Sequence, residues 1–185
     1  MVSLTALWLP ILLSAAIVFV ASSIIHMLLG YHASDWSSLE REDGILDALR
    51  PFALKPGDYV APRPKNMADM NTPEFKARVE KGPRIMMTVM GPSSGSMLKG
   101  LILWFVYSVV VTIFAAYVAG VTLGPGAEYL DVFRVTSTVT FAGYALALWQ
   151  GWIWYSRSLS ATLKTTFDGL VYALLTGGVL GWLWP

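Results

Sequence analysis

Cysteine is absent from this sequence of 185 residues, and charged residues make up only 14% of it. Without cysteine, the chain has no disulfide framework, thiolate metal site or cysteine nucleophile. Soluble domains carry about 25% charged residues, so a chain that is 55% hydrophobic cannot cover a water-facing surface. A net charge of +1 argues against nucleic acid as a partner, because phosphate binding needs a basic surface. The composition predicts an integral membrane protein that contacts lipid.

Four stretches are long and apolar enough to cross about 30 Å of hydrocarbon as helices. They are residues 1–29, 99–123, 133–155 and 163–185. Alternating, strand-like patterns are absent, and a lone span satisfies its backbone groups in lipid only as a helix. Residues 1–3, which precede the apolar run from Leu4, include no lysine or arginine, and this favours a retained anchor over a cleaved signal peptide. The predicted fold is an all-α membrane protein with four transmembrane helices.

The basic residues indicate the orientation of these spans. Residues 30–99 hold ten of the 13 lysines and arginines, and the connection with Arg157 and Lys164 holds two more. The connection between the second and third spans has acidic residues and no basic one. The positive-inside rule therefore places both termini outside, and the loop 30–98 in the cytoplasm.

The loop 30–98 contains seven of the ten prolines. Its sequence predicts two short helices, one after a capping box at Ser37 and one from Thr72-Pro73 to Gly82-Pro83. Residues 85–90 form an apolar run of strand-like length. The loop is too small for an independent core, so it is expected to pack on the membrane surface, on helix ends or on a partner.

Small residues recur at every fourth position in the later spans, and this spacing places each set on one helix face. A missing side chain lets a neighbouring backbone approach closely. The pattern predicts close helix packing, either within the four-helix bundle or against another subunit, and it places Val179 on the opposite side of the last span. The predicted packing residues are Gly143, Ala147, Gly151, Gly169, Ala173, Gly177 and Gly181.

Asp168 is the only acidic residue inside a predicted span. Ionisable residues within a membrane are typical of proton or ion sites. The alternative is an ion pair at the membrane surface with Lys164, which lies one helical turn earlier.

His26 lies near the inner end of the first span, with Ser22 one turn earlier. A small residue four positions before a histidine resembles antenna polypeptides, where it makes room for a macrocycle, so His26 is a candidate tetrapyrrole ligand. The alternative is a histidine that bonds to a carbonyl group or to lipid. No metal site is expected from ligand spacing, and no catalytic motif is present, so the chain is predicted not to be an enzyme. Beyond a bound tetrapyrrole or lipid, no cofactor is expected.

Three parts of the sequence carry a resemblance, namely residues 26–36 (HMLLGYHASDW), residues 42–50 (EDGILDALR), and the end of the chain, 167–176 with 181–185. They resemble an uncharacterised family of small, four-helix bacterial inner-membrane proteins. The resemblance implies a multi-pass protein of the bacterial inner membrane, whose outer termini would lie in the periplasm, and it implies no catalytic residues.

Two functions are consistent with these features. The first is a non-catalytic accessory subunit or assembly partner of a larger membrane complex, with respiratory or photosynthetic complexes as the expected hosts. The alternative is a small proton- or ion-coupled transporter or channel that uses Asp168.

Overall fold

The computed structural model describes residues 1–91 and 96–185, and it is mostly helical. Residues 92–95, in the predicted loop 30–98, lie outside the described residues. Contacts divide the chain into two units, a helical unit of residues 1–37 with 97–185, and a smaller unit of residues 38–96. In chain order, the elements are α1 (Trp8–Met27), α2 (Glu42–Leu49), β1 (Gly57–Ala61), α3 (Pro73–Lys81), β2 (Ile85–Val89), α4 (Met97–Thr122), α5 (Tyr129–Tyr144), α6 (Trp149–Tyr155) and α7 (Leu159–Trp182).

Within residues 1–91 and 96–185, two helices, α1 and α4, are long and apolar enough to cross a membrane. Helix α7, with 24 residues, is also long enough to cross a membrane. It contains the charged residues Lys164 and Asp168, and it is not among these candidates. Helix α5 has 16 residues, which is about 24 Å at 1.5 Å per residue. Length and composition thus identify α1 and α4 as candidate membrane spans.

The predicted third span, residues 133–155, is not one continuous helix. Helix α5 begins at Tyr129 and ends at Tyr144, a 3₁₀ turn covers Leu146–Leu148, and α6 follows. At the break, Ala145 leaves helical geometry with φ −120° and ψ −47° and is fully buried. Its Cβ lies 2.9 Å from where a Cβ on Gly169 would stand. The break therefore accompanies close packing of Ala145 on the backbone of α7.

Helices α5 and α7 pack against each other through the glycines of α7. A Cβ on Gly177 would overlap Ser137 and stand 3.0 Å from the Phe133 carbonyl oxygen. At Gly181, a Cβ would stand 2.9 Å from the Tyr129 ring. The α7 set of small residues therefore packs inside this chain.

Two expectations about the helix faces are wrong. Gly143 lies on α5, Ala147 in the 3₁₀ turn and Gly151 on α6, so these three residues do not share one helix face. Ala147 is exposed, and a Cβ on Gly151 would meet only Arg157. Val179, expected on the opposite side of the last span, is buried with 8% exposure. The reason for the first correction is the break at Ala145, which ends the helical spacing.

The interior of the helical unit is rich in hydroxyl groups, whereas many of its large apolar side chains face outward. Thr112, Thr136 and Thr140 are fully buried, and each donates a hydrogen bond to the carbonyl four residues earlier, at 2.7–2.8 Å. Exposed apolar residues include Leu12 and Phe114. Small and hydroxyl-bearing residues at helix contacts are typical of helices that pack in lipid.

The smaller unit, residues 38–96, contains α2, α3 and an antiparallel pair of strands in which Gly57 pairs with Val89 and Ala61 with Ile85. Helix α3 begins where its sequence signals predict, since the Thr72 side chain accepts a hydrogen bond from the Phe75 backbone N–H. Helix α2 begins at Glu42, later than the capping box predicts.

Candidate ion-binding site

Asp168 is almost completely buried on α7, at 2% exposure, and two side chains from one short segment bind its carboxylate. The Tyr31 hydroxyl donates a hydrogen bond to Oδ1, and His32 Nε2 lies 2.8 Å from Oδ2. Both partners are more than 130 positions away in the sequence. The carboxylate of Asp168 is therefore held by residues that are distant in the sequence.

A sharp turn after α1 creates this contact. Helix α1 ends at Met27, and Gly30 adopts φ +65°, a left-handed conformation that favours glycine. The Ala33 N–H then donates to the Gly30 carbonyl at 3.0 Å, and residues 31–35 form a single 3₁₀ segment. This segment brings Tyr31 and His32 to α7.

The hydrogen bonds continue from His32 to a second carboxylate. His32 Nδ1 lies 2.6 Å from Asp35 Oδ2, and Lys164 Nζ donates to Asp35 Oδ1 at 2.7 Å. Lys164 also donates to the Tyr31 carbonyl oxygen at 2.7 Å and to Ser34 Oγ at 2.8 Å. One lysine thus fixes the 3₁₀ segment to α7.

The surroundings of the 3₁₀ segment shift the pKa values of Asp35 and Tyr31 in opposite directions. Hydrogen bonds from Lys164 and then from His32 lower the pKa of the Asp35 carboxyl. Burial, followed by the hydrogen bond to Asp168, raises the pKa of the Tyr31 phenol, so it remains a donor.

His26, near the end of α1, lies beside His32 and Asp168. Its ring centroid lies 4.4 Å from that of His32. One ligand atom each from His26, His32 and Asp168 lies within 4.8 Å of the other two. His26 is exposed, His32 is partly buried and Asp168 is buried, so the three side chains run from the surface inward.

Ser22 is the small residue that the sequence predicts to make room for a tetrapyrrole on His26. Ser22 is 4% exposed, and its hydroxyl accepts a hydrogen bond from Trp104 Nε1 at 2.7 Å. The indole of Trp104 thus covers the small residue that was expected to make room for a macrocycle. Tetrapyrrole ligation by His26 stays a prediction.

Two buried hydroxyls continue inward from Asp168 along α7. Tyr172 and Thr176 follow it at intervals of four residues, so all three lie on one helix face. Among the described residues, neither hydroxyl has a hydrogen-bond partner, and the same is true of buried Ser14 on α1. An unpaired buried polar group costs about 1–3 kcal/mol. Such groups are unusual in native proteins, and each has an explanation such as an ordered water, an ion or a catalytic role.

The sequence located part of this site. It identified Asp168 and His26 as candidates. The alternative for Asp168, an ion pair with Lys164, does not form, because the Lys164 ammonium group binds Asp35. The roles of Tyr31, His32 and Asp35 were missed. The available signal was the spacing of His32 and Asp35, three residues apart and directly after Gly30.

Known proteins give no further guide to the site. No protein-family model, curated protein or solved structure matches the chain. Membership of the resembled bacterial family and the absence of catalytic activity therefore stay predictions, and the function is inferred from geometry.

Proposed function

We propose that the chain is a small ion-coupled transporter or channel, with Asp168 as the carboxylate that binds the ion. The observation that carries the proposal is the position of Asp168, 2% exposed on a long helix and bound by Tyr31 and His32. Keeping an ionisable group inside a membrane costs several kcal/mol, so such groups are retained for ion binding and transfer.

The proposed topology places four segments across a bacterial inner membrane. These are α1, α4, α5 together with α6, and α7, with both termini in the periplasm and residues 30–98 in the cytoplasm. Asp168 lies nine residues after the start of α7 at Leu159, which is about 14 Å along the helix axis. In this arrangement an ion enters from the cytoplasmic side, where His26 is exposed.

The hydroxyls beyond Asp168 support a path deeper into the helical unit. Tyr172 and Thr176 lie one and two turns further along the same face of α7, and both are buried. A hydroxyl group can donate and accept, so it serves as an ion ligand or as a member of a hydrogen-bonded chain. The position of these two hydroxyls on the face of Asp168 supports such a path.

The test is ion flux into liposomes that contain the purified protein, followed with pH-sensitive and metal-sensitive dyes under an imposed gradient. We expect Asp168→Asn to lower the flux at least tenfold, because the carboxylate charge is lost while the size of the side chain is kept. Asp131→Asn is the matched control, since Asp131 is an exposed acid. The proposal fails if wild-type liposomes show no more flux than protein-free ones, or if both variants behave like the wild type.

A second candidate function, an accessory subunit or assembly partner of a respiratory or photosynthetic complex, is supported by the unit of residues 38–96. Among its described residues, only Phe75 is buried, whereas apolar residues such as Ile45, Leu46 and Phe52 are 40% exposed or more. A partner that covers these side chains would supply the apolar burial that the unit lacks.

Purification in mild detergent tests this second function. We expect stoichiometric subunits to accompany the wild-type chain and to be lost when Ile45 and Leu46 on α2 are both replaced by Ser. Lys81→Ser, an exposed substitution on α3, serves as the control. A wild-type chain that purifies alone contradicts the accessory role.

A further inference from the structure

We infer that the ion bound at this site is a divalent transition-metal ion, held by His26, His32 and Asp168. The inference rests on the proposed function and specifies its ion. The three ligand atoms already lie within 4.8 Å of one another. Zinc-type bonds of about 2.0–2.2 Å at tetrahedral angles place neighbouring ligand atoms about 3.3 Å apart. Small side-chain movements therefore close the site around an ion.

The donor atoms select the class of ion. Two imidazole nitrogens with one carboxylate oxygen suit Zn²⁺ and related ions such as Co²⁺, Ni²⁺ and Mn²⁺. Calcium and magnesium prefer sites made of oxygen atoms alone. Three protein ligands also leave one position of a tetrahedral ion open, as in zinc sites that exchange water or substrate. An ion held in this way can bind water at its fourth position.

The groups behind the ligands are those that orient a metal site. Asp35 binds Nδ1 of His32 at 2.6 Å, which directs Nε2 towards Asp168. A carboxylate on the far nitrogen of a ligating histidine is a recurrent feature of metal sites, and its loss typically lowers metal affinity 10–100-fold. Tyr31 binds Oδ1 of Asp168, so Oδ2 remains for the ion. A metal takes the place of the hydrogen between Nε2 and Oδ2, and that proton leaves to solvent.

His26 is the least constrained of the three ligands. It lies at the end of α1 and is exposed, and its ring lies 4.4 Å from that of His32 at a tilt of 35°. Its substitution therefore removes a ligand while leaving the hydrogen bonds around Asp168 in place. This makes His26→Gln the decisive variant, because Asp168→Asn also removes buried contacts.

The experiment is a titration of metal-stripped protein in detergent with Co²⁺ and Zn²⁺, using a purification tag that lacks histidine. We expect one equivalent of Co²⁺ to bind with the visible absorption of a tetrahedral ion, and Zn²⁺ to displace it. His26→Gln should lower the affinity at least tenfold with an unchanged melting temperature, and Asp35→Asn should lower it 10–100-fold. The matched control, Asp131→Asn, should bind like the wild type.

The outcomes separate this inference from the proposed function. Binding of less than one equivalent, or unchanged affinity in His26→Gln, overturns the metal site. Proton flux that depends on Asp168 without any metal binding also overturns the metal site, yet leaves the transport function standing. Stoichiometric metal binding that is lost in His26→Gln, in a protein that supports no flux, upholds the metal site and overturns transport.

Discussion

Among single side chains, Tyr31 provides the clearest test of how Asp168 is held. Its hydroxyl donates to the carboxylate, and hydrogen bonds to charged groups contribute about 1.5–3 kcal/mol. We expect Tyr31→Phe to lower the free energy of unfolding by about that amount, because Oδ1 loses its donor inside the protein. Denaturant unfolding in detergent measures the change. Tyr155→Phe is the control, since Tyr155 is 61% exposed. Equal losses in the two variants would show that the hydroxyl at position 31 contributes nothing specific.

The residues of the site differ in how far the sequence reveals them. Asp168 is visible as an acid within an apolar stretch, and Lys164 as its neighbour one turn earlier. The contact of His32 with Asp168 joins residues 136 positions apart. No local spacing encodes it, because it depends on the turn at Gly30 that returns the chain to α7. Periodicity within one helix shows which residues share a helix face. It does not show which distant residues that face will contact, because that depends on the turn.

Among the helices, the contact between α5 and α7 depends on one of two adjacent glycines. A Cβ on Gly177 would overlap Ser137 and stand 3.0 Å from the Phe133 carbonyl oxygen, whereas a Cβ on Gly178 meets only the Tyr129 hydroxyl at 3.7 Å. Both substitutions to Ala gain about 1 kcal/mol of helix propensity. We expect Gly178→Ala to leave the melting temperature unchanged or raise it, and Gly177→Ala to lower it, because overpacking costs about 1–3 kcal/mol.

The two alanine variants share the same helix, the same residue type and the same expected gain in propensity. A difference in melting temperature between them therefore reports whether the contact between α5 and α7 has room for a methyl group at position 177. If Gly177→Ala proves as stable as Gly178→Ala, the rotation of Ser137 and small backbone shifts absorb the added methyl group, and the contact is not close-packed in solution.

The elements themselves were predictable to different degrees. The candidate spans α1 and α4 follow from long apolar stretches, and α3 follows from its Thr72 cap and the proline after it. The end of α5 at Tyr144 has no proline to mark it, and it accompanies contact between Ala145 and Gly169. Strand β1 also escaped prediction, since its five residues, Gly57–Ala61, carry little alternation. Tertiary contacts decide both features.

For the whole molecule, the segment before α1 is attached to the far end of α4. The Val2 N–H donates to the Gly120 carbonyl at 2.9 Å, and a Cβ on Gly120 would stand 2.5 Å from the Val2 carbonyl oxygen. We expect Gly120→Ala to detach residues 2–7 and to speed amide hydrogen exchange there, because the neighbouring atom belongs to the backbone and cannot rotate away.

Gly100→Ala, on the same helix, is the control for this detachment, since a Cβ at Gly100 meets nothing within 4 Å. Hydrogen-exchange mass spectrometry of the two variants compares the protection of residues 2–7. Unchanged protection in Gly120→Ala would mean that Val2 shifts without loss of its hydrogen bond, and that the segment is held mainly by the buried side chain of Leu7.

The division of the chain into two units has an evolutionary consequence. All groups of the ion site belong to the unit of residues 1–37 and 97–185, and none to residues 38–96. Insertions, deletions and substitutions in the segment 38–96 therefore leave the ligands where they are, and selection can change that segment without changing ion binding. Among proteins that share ancestry with this chain, we expect segment 38–96 to vary in length and sequence. The residues of the ion site should stay fixed, namely His26, Gly30, Tyr31, His32, Asp35, Lys164 and Asp168.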